Sequence, residues 1–149
     1  MESQQLIHAI EQTPSLQAAL DRILDFFSAD MGTIHLLGSD GMLHLAASSG
    51  GLPEAVIDRV RVIPVGKGMA GLAVERRRPV DSCNIQSDAS GDVRPGARLT
   101  GMQGAIAVPM FHEDQARGAL GVASRAERTF TPEEIALLEE AGRRLAHRS

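Results

Sequence analysis

Gly66, Gly68 and Gly71 stand in the order G-x-G-x-x-G inside the stretch from Pro64 to Val80. That spacing can seat a pyrophosphate on a helix N-terminus. It does so only in a parallel βαβ unit, with an acidic residue about 20 positions further on. Here the preceding elements read as an antiparallel hairpin and a short helix. The helix after Gly71 is stopped by Pro79, and Asp88 falls in a loop rather than at a strand end. Gly66-Lys67-Gly68 also lacks the Ser or Thr that ends a Walker loop. The glycines are therefore read as a tight entry into a lid helix.

Other reactive types are sparse. Cys83 is the single cysteine. It could be oxidised to a sulfenic acid, but no second thiol in the chain could resolve it. Its alternative role is that of a small hydrophobe. His35 and His44 lie on the first hairpin and His112 at the tip of the second, so they read as satisfied or solvated side chains rather than haem ligands. No pair of His, Cys or carboxylates shows ligand spacing on a helix, and no metal is expected. Arg94 and Arg98 are four apart. On a helix they would share a face and could clamp a carboxylate or another anion. The helix start near Gly68 would add a positive dipole end. Two solvated loop arginines fit the same residues. Met69, Leu72, Met102 and Ile106 offer apolar lining and Asn84 a polar contact, although methionine more commonly fills a core. Arg76-Arg77-Arg78 reads as a solvated helix end, or as a surface for an acidic partner.

Composition narrows the classes. The chain of 149 residues suits one domain with one sizeable core. Its formal net charge of −4 opposes a generic nucleic-acid binder. Trp and Tyr are absent and Phe occurs four times, too few for base stacking. The polar N-terminus lacks a signal peptide's basic start and apolar stretch. No apolar run approaches the roughly 20 residues of a membrane span. A lone cysteine fits a cytoplasmic protein.

The elements follow from periodicity. Leu6, Ile7 and Ile10 mark a short helix. Thr13-Pro14 reads as the start of a second, with Leu16, Leu20, Ile23, Leu24 and Phe27 on one face. Thr33 to Leu37 and Met42 to Ala47 form a hairpin around Gly38-Ser39-Asp40-Gly41. A short helix from Pro53 to Val60, a strand over Arg61–Val65, a helix from Met69 to Arg78 and an extended stretch from Val80 to Ile85 come next. Residues 86–100 read as loop. Gly104–Phe111 and Ala116–Ser124 form a second hairpin, rich in small residues. Thr131-Pro132-Glu133-Glu134 is a capping box opening the last helix. Its buried stripe is Ile135, Leu138, Ala141 and Leu145, with Glu139–Arg143 and Glu140–Arg144 as exposed pairs.

This ordered set resembles the GAF family over roughly Leu16 to Ala146. The resemblance is carried by Ile63 to Glu75, by Gly104-Ala105-Ile106-Ala107-Val108-Pro109-Met110, by Arg117 to Ala123, and by Phe130-Thr131. It implies an α+β fold: a central antiparallel sheet of about six strands, terminal helices on one face, and short helices and loops over a pocket on the other. Residues 1–149 would be a single domain, with 1–14 a helical extension. Met1 before a helix start fits a natural N-terminus, and the end at Ser149 fits a whole protein or an excised domain. The resemblance implies a sensory module that binds a small molecule and signals through a homodimer, formed by the N- and C-terminal helices, or through a partner protein. A ligand-free interaction module is the alternative. Bilin-binding members carry a cysteine commonly followed by His, whereas Asn84 follows Cys83. Cyclic-nucleotide-binding members carry Asn-Lys where this chain has Ser124-Arg125. Methionine sulfoxide reductases of this fold carry a cysteine where this chain has Met69-Ala70. The chain is therefore expected to be neither an enzyme nor a haem or bilin protein, with Cys83 as the remaining redox candidate.

Overall fold

In the computed structural model, residues 3–49, 51–93 and 95–148 are described. Two amphipathic helices open the chain, α1 (Ser3–Gln12) and α2 (Leu16–Phe27). They bury Leu6 and Ile10, and Leu20, Ile23, Leu24 and Phe27. Helix α2 starts later than Thr13-Pro14. The Thr13 hydroxyl donates to the Ile10 carbonyl at 2.8 Å and closes α1, while Ser15 Oγ accepts the Ala18 N–H at 3.1 Å and caps α2. A threonine turned back onto the preceding helix leaves the cap to the next hydroxyl.

Six strands follow: β1 (Met31–Leu37), β2 (Met42–Ser48), β3 (Val62–Pro64), β4 (Val80–Ser82), β5 (Gly104–His112) and β6 (Gln115–Ser124). They form one antiparallel sheet in the order β3-β2-β1-β6-β5-β4. The two hairpins meet at the centre through β1 and β6, and the short strands take the edges. The extended stretch expected to reach Ile85 ends at Ser82, because the next polar groups leave the ladder. The Cys83 carbonyl accepts from Arg128 N–H, and Ile85 N–H donates to the Gln103 carbonyl.

Strand alternation divides the sheet into two faces. Ile34, Val108, Met110, Leu120 and Val122 join the terminal helices in the main core. Their neighbours in sequence face the other way. In β2 a bulge opposite Ile34 and His35 leaves Ala46 unpaired. It exchanges the faces, so Leu43 packs with Ile63, Val74 and Ala119 while Ala47 joins the main core.

Helix α5 (Pro132–Arg148) closes the main core with Leu138, Ala141 and Leu145. Its capping box forms in full. Thr131 Oγ1 accepts the Glu134 N–H at 3.1 Å, and Glu134 Oε1 accepts the Thr131 N–H at 2.9 Å. Glu134 also takes Arg128 at 2.7 Å. Arg128 in turn donates to the Phe27 carbonyl at 2.7 Å and lies 4.5 Å over the Phe130 ring, tying the two ends of the domain together. Partial burial pushes the Glu134 carboxyl up, but these bonds outweigh it and hold it below its ordinary value. Of the two exposed pairs expected, Glu140–Arg144 forms at 2.8 Å. Arg143 turns to Glu140 at 2.9 Å rather than to Glu139. Thr131→Ala should cost about 1 kcal/mol in urea unfolding, with the Cm falling at constant m. An unchanged Cm would mean that water replaces the cap at no loss.

The other face carries α3 (Glu54–Val60), α4 (Gly68–Arg76) and the described residues of 83–103. Residues 86–100, expected to be loop, contain a 3-10 helix at Pro95–Thr100. The arginine run after α4 is not simply solvated. Arg76 binds the Asp92 carboxylate with two bonds of 2.9 and 3.1 Å, and Arg77 lies 5.0 Å over the Phe111 ring.

Candidate functional site

Between the sheet and this second layer lies a cavity of about 430 Å³. Small residues create it. On its floor β5 and β6 present Ala105, Ala107, Gly121 and Ala123, and nothing larger than a methyl group rises from those positions. Along β1, Met31, Thr33 and His35 alternate with the core residues and complete the floor. The roof comes from α3 through Val56, Arg59 and Val60, and from the start of α4 through Lys67, Gly68, Met69 and Ala70. Ile85, Ala97, Thr100 and Met102 close one side. Such a volume lies within the roughly 300–1,000 Å³ typical of small-molecule pockets.

The glycine segment places the roof. Gly66 and Gly68 have φ of 93° and 66°, the left-handed region that glycine enters without strain. Gly71 meets a different demand. A Cβ there would stand 2.4 Å from the Pro64 carbonyl oxygen and 3.1 Å from the Gly66 nitrogen. Helix α4 thus rests directly on the end of β3, and the Gly66 N–H donates to the Gly71 carbonyl at 2.9 Å. The spacing that imitates a dinucleotide motif serves this turn. The start of α4 faces the cavity, and no side chain caps it.

His35 is the buried polar group of the floor, with 1% of its surface exposed. Its Nε2 lies 2.7 Å from the Val60 carbonyl oxygen at the end of α3. A carbonyl can only accept, so Nε2 carries the hydrogen and Nδ1 keeps a lone pair. Nδ1 is buried and has no hydrogen-bond partner among the described residues. Burial lowers the pKa of His35, against a smaller upward pull from the Val60 bond. The ring is accordingly neutral at pH 7. At the rim, Arg59 and Lys67 are exposed; among the described residues neither forms an ion pair and no carboxylate lines the cavity.

The residues expected from sequence to form the site divide. Met69, Met102 and Ile106 border the cavity. Ile106 is also part of the main core beneath the terminal helices. Leu72, Asn84 and Arg98 do not line it. Leu72 packs beside Ala73, Val80 and Ala107. Asn84 bonds the Gln103 side chain and the Gln86 N–H. Arg98 donates to the carbonyls of Ile85 at 3.2 Å and Asp88 at 2.8 Å, so its guanidinium staples the loop. Arg94 lies outside the described residues. Cys83 is exposed and is absent from the lining. Sequence reasoning missed His35, Thr33, Arg59 and Lys67 as lining. The signal for the first two was the alternation Met31-x-Thr33-x-His35 in a strand whose other face is Gly32, Ile34 and Leu36.

The family model of the GAF domain matches residues 15–147. The chain belongs to the GAF domain family. Solved structures share its fold at low sequence identity. The GAF domain of an Acinetobacter phosphoenolpyruvate-protein phosphotransferase is 20% identical with a TM-score of 0.78, over 97% of this chain and 88% of that one. The corresponding GAF domain from Coxiella burnetii is 22% identical with a TM-score of 0.75, over 97% and 90%. Free methionine-R-sulfoxide reductase from Neisseria meningitidis, solved with its substrate, is 20% identical with a TM-score of 0.78, over 98% and 84%. No curated protein matches the chain. At these identities the GAF fold is what is shared. Some of its carriers are enzymes and others are named only as domains of larger proteins. Among the described residues no helix of this GAF domain is long and apolar enough to cross a membrane, and no cluster of His, Cys, Asp or Glu could hold a metal ion.

Proposed function

We propose that this GAF domain is a sensory module that binds a small molecule between the sheet and α4. The observation that carries the reading is the cavity itself. Met69 and Met102, which could have filled it, border the space rather than close it. The ligand would take the place of solvent beneath α3, α4 and residues 83–103. It would pass its effect through those segments to a partner protein or a second copy. Pairing through the terminal helices would be polar: the large hydrophobic side chains exposed among the described residues are Leu37 and Val62, and neither is on a helix. Light scattering should therefore report a dimer that weakens with added salt.

The reading is of a binding protein rather than a reductase. Cys83 follows the end of the edge strand β4, is exposed and does not line the cavity, and has no second thiol to resolve an oxidised form. Native mass spectrometry of gently purified protein tests the proposal, with Gly121→Leu as the control. A Cβ at Gly121 would stand 3.3 Å from Thr33 Oγ1, a tight contact with a side chain rather than with backbone, so the variant needs a shift of a few tenths of an ångström at Thr33 to place its larger side chain in the cavity. The expected result is a bound mass, lost on denaturation, that the folded variant no longer carries. A wild-type protein without such a mass, and without a thermal shift against a metabolite library, would favour a ligand-free interaction module.

A further inference from the structure

We propose that the cavity selects a small organic anion with an apolar body that donates one N–H or O–H to His35 Nδ1. The inference rests on the sensor reading above and adds the chemistry of the ligand.

Each part has its own observation. The body is apolar because Met31, Met69 and Met102 with the Ala and Gly floor supply most of the wall. Methionine sulfur adapts to irregular or flat ligands. The donor follows from His35. Its Nε2–H is committed to Val60, and its Nδ1 is buried and without a partner among the described residues, on a residue that lines the cavity. A buried acceptor left empty loses the hydrogen bond that water would have given it. A ligand that donates there restores the bond, and one that offers another acceptor repels the lone pair. The anionic end follows from the rim. Arg59, Lys67 and the uncapped start of α4 place positive charge and N–H groups at the cavity, with no carboxylate in the lining to neutralise them. The surrounding protein is acidic overall, with a net charge of −4, so this positive rim is local.

Matched probes test the idea. Indole acetate and its N-methyl derivative differ in one donor, as do para-hydroxyphenylacetate and its methyl ether. Indole lacks the anion. Calorimetry should give each donor probe about tenfold or greater preference over its methylated twin. Indole should bind more weakly than indole acetate, and the difference should shrink with salt. In long-range proton–nitrogen spectra the Nδ1 resonance of His35 should move with donor probes and stay still with methylated ones. His35→Phe should level each pair. If that variant does not fold, the wild-type Nδ1 resonance decides. Equal binding within each pair, or an Nδ1 signal that ignores the donor, overturns the inference and leaves the sensor reading standing. If no probe binds but the purified protein carries a metabolite, its formula decides: an acid with an N–H or O–H supports the proposal, and a molecule lacking either overturns it. No probe bound and no metabolite carried would remove the sensor reading itself.

Discussion

Gly71→Ala should lower the stability of this domain by about 3 kcal/mol, the upper end of overpacking effects. The sign is the informative part. In an open helix Ala is favoured over Gly by about 1 kcal/mol. Gly71 lies inside α4, so propensity alone predicts a gain. The obstacle is backbone: the added Cβ would lie 2.4 Å from the Pro64 carbonyl oxygen, and a carbonyl at the end of a strand cannot rotate away as a side chain could. Helix α4 must lift off β3, and Val74 would then lose its packing against Leu43 and Ile63. For a domain of this size the loss corresponds to a fall in Tm of about 6–12 °C. Gly51→Ala is the matched control, since a Cβ there meets nothing within 4 Å. A Gly71→Ala protein that melts at or above wild type would show that α4 does not need its close seat. Gly68→Val probes the same turn through its φ of 66° rather than through contact, and β-branched residues are strained there.

Local chemistry explains which parts of the fold could be read in advance. The hairpins were legible because apolar alternation and turn residues lie within a few positions of each other. The capping box at Thr131 was legible for the same reason. What failed depends on atoms distant in sequence. The bulge that unpairs Ala46 exchanges the faces of β2, and nothing between Met42 and Ser48 announces it. Arg98 looks like a ligand clamp when only its spacing from Arg94 is considered. Its guanidinium instead meets the carbonyls of Ile85 and Asp88, groups present at every residue and invisible in side-chain patterns. The run at Arg76 has the same lesson, because its partner Asp92 lies across a loop. The candidate site was half legible. Met69 and Met102 could be placed by their elements. The importance of His35 depends on the Val60 carbonyl, which the fold brings from the end of α3.

Acid should destabilise the domain through His35. Its folded pKa lies below the ordinary value of 6.5, with burial as the larger cause and the Val60 bond opposing it. The unfolded chain therefore binds the proton first. The stability linked to this group is present in full above pH 6.5 and is lost as pH falls from there towards the folded pKa. Within that window the slope is at most about 1.4 kcal/mol per pH unit, the value for one proton. Protonation would place a hydrogen on Nδ1, which is buried and has no acceptor, and would add charge to a cavity already rimmed by Arg59 and Lys67. Asp40, Asp88, Glu134 and Glu140 are held below their ordinary values of 3.8 and 4.5, so their contributions are lost only as pH falls from those values. Urea unfolding of wild type and His35→Gln between pH 7 and 5 isolates the effect. Glutamine can still donate to Val60 but does not titrate. The wild-type curve should fall away from the variant's across that range. Parallel curves would mean that His35 takes up its proton equally in the folded and unfolded protein, and Nδ1 would then have to be open to water.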